Sequence, residues 1–391
     1  MPVTKAFALW DDRLELFVAE TVARDDNVFR ISSESDPSVV LGLPSKGDVY
    51  RNASFGFNLD VPVSRQRFLG GVTWNDSRYD RFTVLNFDGH QGRAAWLWRV
   101  GNELSGQLEY KQTRALASLA NVQSGVQSST PDPLETRSVL FSAAYMLTPR
   151  WRSRGEVSRL KQSNEVPERQ VNDIRADGVD LTVSYITPAN NEVGLSVKVE
   201  DSDFPTLQPV AGGLVDNAYR QRRAAALADL TITGRSHVNA RAGWVGRSYE
   251  QLPQRDFKGA IFQAVYDWKA TGKLTLTAVA QRDISTVEQI QTSFVIVEGV
   301  ALRPTLRLTE KANLSGALEY GDRKYLGDPG LVLGIVPPRT DRVRSVAVTA
   351  SYRPMRSVTL ELAVRRETRS STAAFGDYVT NGVSASVRLA F

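Results

Sequence analysis

Few residues in this chain of 391 are of types that carry covalent or metal chemistry. There is no cysteine, and the only histidines are His90 and His237. That removes disulfide scaffolds, cysteine-ligated zinc, iron–sulfur clusters and thiol nucleophiles, and leaves too few imidazoles for a multi-histidine centre. His237 follows Ser236 in a short turn and His90 lies in Asp88–Gly92, and neither spacing fixes a nucleophile beside the ring. The oxygen-rich runs Asp25-Asp26-Asn27 and Asp201–Asp203 could hold calcium weakly, although solvation is the commoner fate of such loop clusters. Gly212-Gly213 and the glycines between Gly327 and Gly334 precede no helix, so they punctuate loops and do not cradle phosphate. The chain reads as a non-enzyme with no cofactor and no metal.

What remains is charge and how it is spaced. The chain holds 48 Lys and Arg against 43 Asp and Glu, a formal charge of +5, too balanced and too scattered for nucleic acid. Its charges alternate with apolar residues. On one parity stand Arg93, Arg99, Lys111, Arg152, Arg154, Lys198, Arg241, Arg247, Lys269, Arg303, Arg307, Arg353, Arg365 and Arg388. The same parity holds Glu15, Asp60, Glu109, Glu156, Asp180, Glu200, Asp229, Asp267, Asp283, Glu319, Glu361 and Glu367. Opposite charges facing each other on adjacent strands stabilise a sheet, so each is first a candidate for cross-strand pairing. Together they would line a hydrated conduit with a slight arginine excess, suited to anionic or hydroxyl-rich solutes. An aromatic slide is not evident, because nearly all Trp fall on the other parity.

These residues must be positioned by strands, because the periodicity is two almost everywhere. Val379, Asn381, Val383, Ala385, Val387, Leu389 and Phe391 fall on one face of the last segment, against Thr380, Gly382, Ser384, Ser386 and Arg388. Eighteen such segments start near Leu14, Arg51, Arg67, Gly92, Leu104, Arg137, Trp151, Gly178, Glu192, Arg222, His237, Lys258, Lys273, Gly299, Ala312, Arg344, Ser357 and Tyr378. Tight connections such as Gly101–Glu103, Thr148–Arg150 and Thr309–Lys311 alternate with long polar ones such as Asp25–Gly47, Ala117–Glu135, Lys161–Ile174, Ser202–Asn217 and Gly327–Asp341. That asymmetry belongs to an all-β transmembrane antiparallel β-barrel of about 18 strands, with short periplasmic turns and long extracellular loops.

Three features favour lipid over a soluble core. Aromatics on the apolar parity, including Trp74, Trp96, Trp98, Tyr145, Trp151, Tyr185, Trp244, Trp268 and Tyr352, suit a headgroup girdle. The polar parity carries mid-strand charge that a dry core would not accept. The chain ends on Phe391 behind Leu389 and Val387, a pattern similar to the C-terminal β-signal for outer-membrane insertion. No stretch approaches the roughly 18 uninterrupted apolar residues of a membrane helix. Met1–Trp10 has one Lys and no apolar stretch before a small-residue site, so it does not read as an export signal. Residues 1–13 are expected as a short periplasmic segment and 14–391 as the barrel, with both termini periplasmic. The segments Asp80–His90 and Val287–Glu298 are the hardest to place, and Phe294–Val297 fits either an outward extension of its strand or a loop element.

After the first strand comes Asp25-Asp26-Asn27-Val28-Phe29-Arg30 and a long loop. With eighteen strands, no plug domain and Phe391, this resembles the EpsL-type outer-membrane proteins of exopolysaccharide gene clusters, a β-barrel porin family. The resemblance spans the chain in architecture and rests locally on that one motif, to which Asp26, Asn27 and Arg30 correspond. It implies polysaccharide secretion across the outer membrane with a periplasmic polysaccharide-export (Wza-like) protein as partner, and it supplies no catalytic residues. Capping of the first strand by the three motif residues is at least as good a reading as contact with polymer. The expected function is therefore passive conduction of exopolysaccharide, within outer-membrane lipid. Short turns such as Thr148-Pro149-Arg150 and Pro354-Met355-Arg356 would form the docking rim. The alternative is a general or anion-preferring diffusion porin.

Overall fold

The computed structural model describes residues 10, 12–117, 131–210, 213–285, 294–326 and 339–391. The chain runs through β1 (Leu14–Asp25), a short helix α1 (Pro37–Leu41), β2 (Asp48–Val63), β3 (Gln66–Tyr79), β4 (Phe87–Val100), β5 (Leu104–Leu116), β6 (Pro133–Met146), β7 (Trp151–Asn164), β8 (Ile174–Ile186) and β9 (Glu192–Asp203). A small hairpin, β10 (Gln208–Val210) and β11 (Gly213–Val215), interrupts the next long loop. Then follow β12 (Tyr219–Thr233), β13 (Ser236–Tyr249), β14 (Phe257–Lys269), β15 (Leu274–Ser285), β16 (Phe294–Arg307), β17 (Ala312–Leu326), β18 (Arg339–Met355), β19 (Val358–Ser371) and β20 (Tyr378–Ala390).

All but the hairpin belong to one 18-stranded antiparallel sheet, each strand pairing with its sequence neighbours and β9 pairing with β12. It closes where β20 meets β1, from Phe17 opposite Ala390 to Asp25 opposite Gly382. Closure leaves no free edge, so the backbone of every strand finds its hydrogen-bond partners within the sheet. Phe391 completes the seam: its N–H donates to the Leu16 carbonyl at 2.8 Å and its carbonyl accepts from Leu16 at 3.1 Å. Among the described residues no helix is long and apolar enough to cross a membrane.

Each periodic segment of the sequence is one strand of this barrel, but most strands begin earlier at the long-loop end. β4 starts at Phe87 and not near Gly92, β16 at Phe294 and not near Gly299, and β18 at Arg339 and not near Arg344. There the regular alternation fades while the ladder continues: Val295, Ile296 and Val297 are apolar on both faces, and Arg339, Thr340, Asp341 and Arg342 are polar on both. Phe294–Val297 thus extends its strand, and Asp80–His90 divides into a 3-10 turn at Thr83–Leu85 and the start of β4. The connection between β2 and β3 is only Ser64-Arg65, with Ser64 at φ 53°. Of the expected segment 1–13, only Trp10, Asp12 and Arg13 are among the described residues, and Gly212, residues 118–130 and the Gly327–Gly334 stretch lie outside them.

Candidate functional site

Directly paired residues share a face, so the register sorts every strand into two faces. One is apolar and exposed: Val18, Phe55, Trp74, Trp96, Phe141, Leu181, Leu195, Trp244 and Leu362 are examples. The other must be the concave side, because its side chains meet across intervening strands. Arg223 on β12 reaches Asp283 on β15 at 2.9 Å, and Arg152 on β7 pairs with Glu192 at the start of β9. All the charged residues singled out by parity fall on this concave face by register. Hydroxyls and amides such as Ser54, Asn75, Gln107, Ser142, Thr182 and Ser384 accompany them.

Most of these cations are neutralised locally. Arg93 and Lys111 clamp the buried Glu109 at 2.6 and 2.5 Å. Lys198 pairs with Glu200 at 2.7 Å, Arg303 with Glu319 at 2.9 Å, and Arg365 with Glu367. Arg388 holds Glu15 at 2.5 Å across the closing seam and lies over the Phe17 ring. Arg307 donates to the Gly272 carbonyl at 3.1 Å. Arg247 is buried, donating to the Gln221 side chain and stacked 4.0 Å from the Tyr219 ring centre. Arg99, Arg241 and Arg353 are exposed, with no side-chain partner among the described residues.

The structure gathers a subset of them at the short-turn end. Arg99, Arg152 and Arg154 line a cavity of about 690 Å³ together with Arg67, Ser105, Gln107 and Ser142. Arg67 is tied to Asp60, and Arg154 to Glu156 at 3.2 Å, but both guanidinia remain about half exposed. Arg65 also lines it and donates to the Gly101 carbonyl at 2.7 Å, so the site offers several N–H donors beside the unpaired Arg99, next to hydroxyl and amide partners. That combination can bind and release carboxylates or sugar hydroxyls. The remaining cations are distributed around the wall and do not form a second cluster with it.

The long-loop end is built differently. Arg339 and Arg369 flank a fully buried Asp341, at 2.6 and 3.8 Å, and Tyr325 and Ser371 hydroxyls donate to the same carboxylate. Each guanidinium also lies over a tyrosine ring, Arg339 on Tyr325 and Arg369 on Tyr378, both at 4.5 Å. Tyr219 and Tyr249 pack with Ile174 and Leu252, with Phe204 and Val215 against them. Tyr50 and Tyr79 stack at 4.9 Å. These six tyrosines fall on the concave face by register, so the loop residues Phe204, Val215 and Leu252 that cover some of them fold over the lumen wall. The parity pattern contained this tyrosine ring, although attention to tryptophan alone passes over it.

The motif after β1 anchors the first long loop. Asn27 is buried; its side chain accepts from Ile31 N–H at 3.0 Å and donates to the Ile31 and Val379 carbonyls. Asp26 accepts from the backbone and side-chain amides of Asn381, both at 2.7 Å. Arg30, at φ 56°, pairs with Asp25 at 2.8 Å. Val28, Phe29 and Ile31 then form an apolar knot with Phe82 and Leu85 of the next loop. All three motif residues are thus engaged in joining the loop to the strand tops. Val387, Leu389 and Phe391 face outward and exposed at the seam.

Other candidate chemistry disperses. Ser236 and His237 point to opposite faces, and His237 bonds Asp229 at 3.0 Å. His90 lies on the outer face, 3.4 Å from the Gln112 amide. Asp201 is occupied by Arg220 at 2.6 Å. Among the described residues no group of three or more acidic or histidine side chains is arranged to hold a metal ion. In the loop before β6, burial pushes the Asp132 carboxyl above the ordinary carboxylate range, against the opposing pull of the Val166 N–H and Arg169.

A family model described as Putative beta-barrel porin 2 matches residues 217–391. No curated protein matches the sequence. Among solved structures, the outer membrane protein OpdK from Pseudomonas aeruginosa is similar at 10% identity and a TM-score of 0.51, over 97% of this chain and 99% of that one. OpdK with vanillate is similar at 11% identity over the same shares, with a TM-score of 0.51. At these identities the likeness concerns the fold, which is that of a porin-like outer-membrane barrel.

Proposed function

We propose that the barrel is integral to the outer membrane, with its termini and short turns in the periplasm, and that it conducts an exopolysaccharide of the EpsL-type secretion class to the cell surface. A periplasmic polysaccharide-export (Wza-like) protein would deliver the polymer to the short-turn rim. The observation that carries the reading is the concave face itself: paired charges and hydroxyls spread along the wall, and an exposed arginine cavity at the short-turn end where polymer would enter. A sliding polymer needs many weak, exchangeable hydrogen bonds, and this wall supplies them. The drive comes from synthesis upstream, so the barrel contributes a hydrated path and no reaction.

A clean deletion strain tests this. Loss of surface polysaccharide with accumulation in the periplasm, restored by the intact gene, is the expected outcome. Unchanged surface polymer would contradict export.

The arginine cavity also favours a second reading, an anion-preferring diffusion porin, and the likeness to OpdK, solved with vanillate, is consistent with it. An unaltered polymer phenotype together with a constitutively open, anion-selective channel in planar bilayers would select that reading.

A further inference from the structure

Outward residues of the strands change character along the barrel axis. From the short-turn edge the outer face is apolar for about eight residues per strand, the height expected of a hydrocarbon-facing band. Glu20, opposite Ala53 and Val387, is the one charge within it among the described residues. Above the band, at the long-loop edge only, the outer face becomes charged. Over much of the circumference these charges form ion pairs: Arg159 with Asp177 and Arg220 with Asp201, both at 2.6 Å, and Arg342 with Asp322 at 3.1 Å.

Lys161, Arg222 and Lys258 also stand there without an ion pair among the described residues, but the closing seam gathers four such cations within five neighbouring strands. Arg344 on β18, Arg366 on β19, Arg24 on β1 and Arg51 on β2 all face outward and are exposed. Each is set at the rim of the apolar band, with Arg24 opposite Val383, Arg51 opposite Val22 and Arg366 opposite Val346. None has an acidic partner among the described residues; Arg366 meets only the Asn381 side-chain oxygen at 3.3 Å. Asp26, on the same face of the chain just beyond Arg24, is already engaged by the two Asn381 amides. Four uncompensated guanidinia on strands that flank β20 thus sit directly over an acyl-compatible apolar surface.

We infer that this seam is a binding site for the phosphate groups of an acylated, phosphorylated glycolipid in the leaflet at the long-loop edge. Guanidinium forks match phosphate oxygens, and the apolar face below, including Val22, Val383 and Val346, would take the acyl chains. The inference rests on the chain spanning a membrane but not on what passes through the lumen. It also sets the orientation, because the short-turn edge has no such row of cations on its outer face among the described residues.

The test uses the full chain in detergent micelles and native mass spectrometry with three probes: bis-phosphorylated lipid A, the same lipid with its phosphates removed, and inorganic pyrophosphate. The wild type is compared with R24Q/R51Q/R344Q/R366Q and with the control R159Q/R220Q, all checked for β-rich circular dichroism and heat-modifiable mobility. Each arginine near a charged lipid surface contributes about a fivefold change in binding. The quadruple variant should therefore lose roughly a hundredfold in lipid A binding or more. The control should lose far less, and phosphate-free lipid should bind the wild type as weakly as lipid A binds the quadruple variant. Equal binding of lipid A by the wild type and the quadruple variant, or of the two lipids by the wild type, would overturn the site. Pyrophosphate bound as tightly as the lipid would overturn the lipid assignment. A wild type that fails to reconstitute into phospholipid vesicles would overturn the membrane barrel as well, a result distinct from reconstitution without glycolipid binding.

Discussion

At the long-loop mouth, Arg369 and Arg339 are buried against tyrosine rings and share the Asp341 carboxylate, which has no solvent exposure. At the short-turn mouth, Arg99 is exposed without a side-chain partner among the described residues, and Arg67 and Arg154 keep about half of their side-chain surface open. The residue type and the inward parity are the same. What differs is the neighbourhood: loops fold over one end, while turns of only a few residues leave the other open. A desolvated guanidinium needs its acid and its ring and is committed to structure, whereas a hydrated one remains available to a passing ligand.

Substitutions can break this contrast, and the largest effect is expected at Asp341. Asp341→Ala leaves two buried guanidinia without their carboxylate and should cost about 3–5 kcal/mol. A lowered temperature for conversion of the folded gel species would register it. Asn27→Ala removes three bonds that anchor the first loop and should cost about 1–3 kcal/mol. Its effect is local, so faster proteolysis between residues 26 and 47 with the barrel intact is the expected readout.

Arg99→Gln should change stability by less than about 0.5 kcal/mol, because the side chain is exposed and unpaired. It should nevertheless lower the anion-to-cation permeability ratio in planar bilayers, the opposite division of effects from Asp341. At the exposed outer pair, Arg220→Ala is expected to cost only about 0–1 kcal/mol after solvent screening.

The smallest effect is a pH dependence at Asp132. Burial raises its pKa in the fold, so its contribution to stability is complete below the ordinary aspartate range and is lost as pH rises through the raised value. Asp132→Asn should flatten that dependence, measured as protease sensitivity of the neighbouring loops across pH.

The strands were legible because lipid on one side and water on the other impose alternation on each of them. Legibility failed where that contrast ends. Above the apolar band the strands that begin at Phe87, Phe294 and Arg339 no longer separate lipid from water: Val295, Ile296 and Asp341 are buried there among neighbouring residues, so residue types stop alternating. The hairpin Gln208–Val215 and the inward lean of Phe204 and Leu252 depend on tertiary contact with Tyr219 and Tyr249, which no local period encodes. Arg99, Arg152 and Arg154 of the short-turn cavity were individually visible by parity, whereas Arg67 was not singled out. Their gathering was not visible, because Arg67, Arg99 and Arg152 come from separate strands brought together by sheet curvature.

The most direct test of the proposed conduit is current block by polymer. The purified barrel would be held in a planar bilayer, with size-fractionated acidic exopolysaccharide added to one side at a time. Length-dependent block from the short-turn side, weakened by R99Q/R154Q, is the predicted result. Current that no polymer length interrupts from either side, or block identical in the variant, would contradict a lumen that receives polysaccharide at its arginine-lined end.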